Sequence, residues 1–124
     1  MPHTTIAIAT QDGKTVAPHF GRASKYVVLT LEDGRVVKRE ERSKPICRHR
    51  HQGPIDFARH VAMLTEPIRD CRVLIVGGIG LPAYEQLRAL GYEIYLTDGT
   101  IEEALQAYLE GRLTADPTRV HLPH

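Results

Sequence analysis
The sequence has no long apolar run. Its longest hydrophobic stretches are strand-sized, far short of the ~20 residues that a membrane helix needs. It also lacks an excess of either charge. Sixteen Lys and Arg face fifteen Asp and Glu, for a net charge of +1 with no long basic segment, which removes the electrostatic basis for general nucleic-acid binding. No secretory signal core is present, because Asp12, Gly13 and Lys14 directly follow the first apolar segment. Cysteine is scarce. Cys47 and Cys71, without an export signal, read as thiols, and a reducing cytoplasm is the expected compartment. Catalytic sets are missing too: there is no Ser-His-Asp order, G-x-S-x-G or H-E-x-x-H. The first strand has no acid to hold the two metals of a nuclease. The expectation is a protein that is not an enzyme, with neither nucleic acid nor a membrane among its partners.

What is present suits a folded domain. Apolar residues make up 42% and charged residues 25% of the 124, enough for a single domain, 1–124, with a real core. Five strands and three helices are expected. Thr4–Thr10 is apolar on both its Ile6/Ile8 and its Ala7/Ala9 faces, the mark of a central strand covered on both sides. Tyr26–Leu31 and Arg35–Glu40 flank Glu32-Asp33-Gly34, a hairpin signal. The charged second strand suits an exposed edge. A helix is expected from Pro54 to Thr65, with Phe57, Val61 and Leu64 on one face. Val73–Val76 reads as a buried strand entering Gly77-Gly78-Ile79-Gly80. Pro82 then opens a helix through Ala83, Leu87 and Leu90, closed by Gly91. After a strand at Glu93–Thr97, Thr100-Ile101-Glu102-Glu103 has the form of a capping box and starts a helix that ends at Gly111. The core is expected over 4–113, and the tail 114–124, with no periodicity, is read as loosely ordered. A hairpin followed by strand–helix–strand–helix units points to an α/β fold. The expected form is a ribonuclease-H-like three-layer sandwich, a mixed five-stranded sheet with helices on both faces.

Three places carry candidate chemistry. The first is His19-Phe20-Gly21-Arg22-Ala23, which sets a metal-ligating imidazole, a tight turn and a fixed positive charge at a strand end, where α/β proteins gather their sites. The alternative is a histidine that bonds a carbonyl and packs on Phe20. The second is Cys47-Arg48-His49-Arg50-His51. A period of two projects its thiol and both imidazoles to one side of an extended chain, a donor set that zinc and other borderline metals accept. The alternative is a solvated polar loop. The third is the glycine turn Gly77, Gly78 and Gly80, whose amides and following helix N-terminus favour an anion. It lacks the spacing of a dinucleotide fingerprint or a P-loop, and the alternative is a turn that only permits close helix–sheet contact. His60 reads as a helix residue, His3, His121 and His124 as uninformative terminal residues, and Cys71 as an inert core thiol.

Together these segments resemble the dinitrogenase iron-molybdenum cofactor biosynthesis family, the group of NifX, NafY and the NifB C-terminal domain. The resemblance rests on Ile6-Ala7-Ile8-Ala9 with Asp12-Gly13, the His19–Ala23 box, Val76–Gly80 leading to Gly91, and Thr100–Ala104 with Tyr108 and Gly111. It covers about residues 4–113. It implies a carrier or accessory protein that binds an iron–sulfur-type cluster or cofactor precursor transiently. His19 would then be the principal ligand, Arg22 and the glycine-turn amides of Gly77, Gly78 and Gly80 would give complementary charge, and Cys47, His49 and His51 would be secondary candidates. The partners it implies are cluster donor or acceptor proteins, met by a monomer or weak homodimer. The competing expectation is a zinc- or other transition-metal-binding regulatory module built on Cys47, His49 and His51.

Overall fold
The computed structural model describes residues 3–44, 61–113 and 120–121. Strand β1 (His3–Thr10) is followed by the hairpin strands β2 (Lys25–Glu32) and β3 (Arg35–Ser43). Residues 61–65 are helical (α1). Then come β4 (Val73–Val76), β5 (Ile79–Gly80), α2 (Leu81–Ala89), β6 (Glu93–Leu96), α3 (Ile101–Leu109) and β7 (Val120–His121). Five strands form one sheet in the order β3-β2-β1-β4-β6, and β5 pairs separately with β7. The β1–β2 and β2–β3 pairs are antiparallel, whereas β1–β4 and β4–β6 are parallel. The molecule is an α/β protein with a mixed five-stranded sheet.

Strand β1 is central because both its faces are apolar. Ala7 and Ala9 pack with Val28, Leu64, Leu74 and Leu87, on the side of α1 and α2. Ile6 and Ile8 pack with Val27, Leu29, Ile75, Ile101 and Ala104, on the side of α3. The small alanines leave room on their face for two large rings, Tyr26 and Phe20. Each fully buried aliphatic side chain contributes about 1.5–3 kcal/mol to holding the sheet between its helices. The Tyr26 hydroxyl crosses this layer to donate to the Leu64 carbonyl at 2.7 Å, and the Tyr92 hydroxyl donates to that of Ile68 at 3.0 Å. Burial pushes the Tyr26 hydroxyl far above its ordinary pKa, so it remains a donor.

Local chemistry sets the boundaries. Asp33 and Gly34 both have positive φ, 52° and 78°, the requirement of a two-residue hairpin turn that follows strand twist. The edge strand β3 runs to Ser43, three residues past the predicted end at Glu40, because β2 supplies pairing partners down to Lys25. Most of its charges face water, and the half-buried Glu40 and Arg42 pair with each other, with Arg42 also bonded to Asp70 and the Pro67 carbonyl. In α3 the capping box is complete: the Thr100 side chain accepts from the Glu103 amide, and Glu103 accepts from the Thr100 amide, both at 3.0 Å. Helix α2 begins at Leu81 with Gly80 as its N-cap and ends before Gly91 at φ 98°. Leu90, predicted on its buried face, is 55% exposed, because it occupies the C-cap position. Val61 and Leu64 are buried as predicted. Phe57 and the first part of that predicted helix lie outside the described residues. The tail, read as loosely ordered, contributes β7. Two residues carry no period to read. Cys71 is buried, and burial first, then the Asp70 carboxylate, pushes its thiol up to about 12.

Candidate functional site
Parallel pairing brings the carboxyl ends of β1 and β4 side by side, and the loops leaving them meet. The first loop is shaped by Thr10 and Asp12. The buried Thr10 hydroxyl donates to the Thr15 carbonyl and accepts from the Gly13 amide, while Gly13 adopts φ 77°. One Asp12 oxygen accepts from the Lys14 and Thr15 amides, both at 2.8 Å. These backbone donors hold its carboxyl down at about 2. Beyond the turn, the Val16 amide donates to Gly99, and the Ile101 amide donates back to Lys14. The loop is thereby joined to the start of α3.

Its second half is clamped to the glycine turn. The Gly77 amide donates to the Ala17 carbonyl at 2.8 Å, and the Phe20 amide to the Gly78 carbonyl at 2.9 Å. Gly77 is glycine for a steric reason: a Cβ there would lie 2.8 Å from the Ala17 oxygen and 2.9 Å from the Pro18 Cα. Residues Phe20–Arg22 form one 3-10 turn that His19 precedes in extended conformation. Phe20 is buried beneath it, while His19 and Arg22 are exposed. The Arg22 carbonyl accepts from the Gln11 side chain at 3.1 Å, and the Ser24 amide donates to Thr10. An exposed imidazole thus stands on a backbone fixed at both ends.

The structure brings His19, Arg22, Gly77, Gly78 and Gly80 to one end of the sheet. Gly77 and Gly78 are buried, and Gly80 opens α2 with no side chain capping its first turn. The helix dipole and uncapped amides favour negative charge there. Cys47, His49 and His51 lie outside the described residues. Among the described residues, no three His, Cys, Asp or Glu side chains converge as a metal site. Any metal held at His19 would take few protein ligands from the described residues. No helix of the described residues is long and apolar enough to cross a membrane.

Two neighbours of the site escaped sequence reasoning. Lys44 reads as part of a polar loop yet is 4% exposed, with its ammonium 4.8 Å above the centre of the Phe20 ring, a cation–π geometry. Its amide donates to Ser24. No local signal marks it. Asp12 was legible only as the nearest acid, though a short polar side chain two residues past a strand is a turn former.

The sequence profile described as dinitrogenase iron-molybdenum cofactor matches residues 3–111. The chain is similar to the uncharacterized protein MJ0580 of Methanocaldococcus jannaschii, 28% identical over 103 residues, 82% of this chain and 83% of that protein. It is 29% identical to the FeMo cofactor biosynthesis protein NifB of Klebsiella pneumoniae over 96% of its own length, but spans only 26% of NifB. Among solved structures, PH0822 superposes with a TM-score of 0.69 at 24% identity, over 92% of this chain and 97% of that one. The apo orange protein of Desulfovibrio gigas gives 0.67 at 20% identity, over 92% and 93%. At these identities the two structures establish a shared fold and nothing more.

Proposed function
Because the chain belongs to the dinitrogenase iron-molybdenum cofactor family, we propose that it is an accessory carrier that binds an iron–sulfur-type cluster, or a precursor of the cofactor, and hands it to another protein. The observation that carries this reading is the exposed His19, on a loop bonded through Phe20 and Ala17 to the glycine turn that leads into α2. Imidazole nitrogen suits iron and its neighbours among the transition metals. Sulfide-rich clusters are anionic, so Arg22 and the first turn of α2 after Gly80, which no side chain caps, supply complementary charge without forming metal bonds, whereas the Gly77 amide is already given to Ala17. One or two covalent ligands keep the cargo exchangeable, as a carrier requires. The cargo leaves chemically unchanged, so the protein is not an enzyme. It meets cluster donors and acceptors in the cytoplasm as a monomer or weak homodimer. The sheet order β3-β2-β1-β4-β6, with its first three strands antiparallel, supports the ribonuclease-H-like description.

The experiment is anaerobic incubation with ferrous iron and sulfide, followed by metal and sulfide analysis and visible absorption, on the native protein and His19→Ala. Iron and sulfide bound by the native protein and lost from the variant are expected. Zinc alone, unaffected by His19→Ala, would replace this reading with the metal module at Cys47, His49 and His51. No bound metal in either protein would leave an interaction domain.

A further inference from the structure
We infer that Lys44 is the positioning residue of the His19 site: by holding the Phe20 ring it sets the direction in which the neighbouring imidazole is presented. The inference rests on the proposed function and deepens it, because it says how one exposed side chain is kept ready for cargo.

Lys44 holds the turn at two points. Its amide donates to the Ser24 carbonyl at 3.0 Å, and the Ser24 amide in turn donates to Thr10 at the end of β1. Its ammonium stands 4.8 Å from the centre of the Phe20 ring. Phe20 is 3% exposed and Lys44 4%, so the contact is shielded from water and stronger than one at the surface. The Phe20 amide is given to the Gly78 carbonyl at 2.9 Å. Phe20 is therefore held twice, by its backbone from the glycine turn and by its ring from the residue that follows β3. His19 directly precedes it and enters the turn in extended conformation, φ −138° and ψ 131°. A swing of the His19 backbone would have to carry the Phe20 ring away from the ammonium.

Packing alone does not call for a cation here. Lysine is among the residues least often buried, and methionine would fill a similar volume with no charge to desolvate. What the ammonium adds is direction, because attraction to a ring face favours one tilt of the ring, whereas apolar contact is non-directional. A carrier with few metal bonds gains from this: a ligand already held in its bound orientation loses less freedom when cargo arrives.

The test uses the full chain as native protein and as Lys44→Met, each also made with singly and triply fluorinated phenylalanine at position 20. The negative ring face attracts the cation, and fluorine drains that face in steps while barely changing its shape. Three quantities are read: the melting temperature, the NMR order parameter of the His19 imidazole without cargo, and cargo loss to an iron chelator after anaerobic loading with ferrous iron and sulfide. Lys44→Met should melt no lower than the native protein, yet its His19 order parameter should fall. Cargo should leave it about tenfold faster, the factor equivalent to ~1.4 kcal/mol. Fluorination should lower His19 order stepwise when Lys44 is present and have no effect in Lys44→Met. An unchanged His19 order parameter in Lys44→Met would overturn the inference, as would a fluorine response independent of Lys44. A lower melting temperature with loosening spread through the chain would overturn it by showing a structural effect alone. Equal cargo loss from a less ordered His19 would overturn it as well. A native protein that never loads, with His19 order still governed by Lys44, would refute the carrier reading while supporting the positioning role.

Discussion

Gly77→Ala is the substitution on which the geometry of the site can be tested without any cargo. The added methyl would sit 2.8 Å from the Ala17 oxygen and 2.9 Å from the Pro18 Cα, and both are backbone atoms that no rotamer change can move. Either β4 or the loop must shift. Overpacking of this kind costs about 1–3 kcal/mol. Loosening the Gly77–Ala17 and Phe20–Gly78 bonds adds ~1 kcal/mol or less each. A total of roughly 2–4 kcal/mol corresponds to a melting temperature lower by about 10 °C for a domain of this size. The loop should register the change locally as well. The Phe20 amide, bonded to Gly78 in the native protein, should exchange with deuterium faster than global destabilisation alone requires. Gly21→Ala is the control. A Cβ there meets nothing within 4 Å, so stability should stay within about 0.5 kcal/mol. A Gly77→Ala protein that melts with the native one and retains Phe20 protection would refute the close approach of the two loops, and with it the rigid seat of His19.

Further outcomes follow from the packing and the titrating groups. Tyr26→Phe removes the donor to the Leu64 carbonyl and should lower stability by about 1–2 kcal/mol, read as a shift of the urea midpoint at unchanged slope. Asp12 has a folded pKa of about 2 against 3.8 for the free side chain, so its contribution is present above pH 4 and disappears as pH falls through 2. Asp12→Asn should therefore flatten the pH dependence of thermal stability between 4 and 2, and an unchanged profile would contradict the backbone bonds assigned to Asp12. Cys71, with its thiol pushed up to about 12, should resist a thiol reagent at pH 8 in a Cys47→Ala background until denaturant is added. Prompt reaction in the folded protein would place Cys71 outside the core.

Long-range features were legible where local chemistry and tertiary demand coincide. The alternation of Ile and Ala in β1 announces two cores because a central strand faces both. Thr100 and Glu103 form their capping box within four residues, so no distant partner is needed to see it. The end of β3 was not legible, because Ser43 is in the ladder only through Lys25 of the neighbouring strand. Lys44 was missed for a similar reason: its burial depends on Phe20, twenty-four residues earlier. At the site, the glycines and His19 stand out singly. That Gly77 is required by Ala17 and Pro18 emerges only once two parallel strands are set side by side. The β5–β7 pair is too short for any periodicity, and so the strand at Val120–His121 belongs to the fold alone.

The antiparallel pairing of β1 with β2 separates the two ends of the sheet. His3 pairs with Glu32 beside the Asp33-Gly34 turn, while Thr10, from which the His19 loop departs, pairs with Lys25. Seven residues at ~3.3 Å each put roughly 20 Å between them. A dye or surface tether attached at the exposed Arg35 would therefore hold every molecule with its His19 end pointing away from the support, and binding or transfer of cargo could be watched on single oriented copies without the label entering the site.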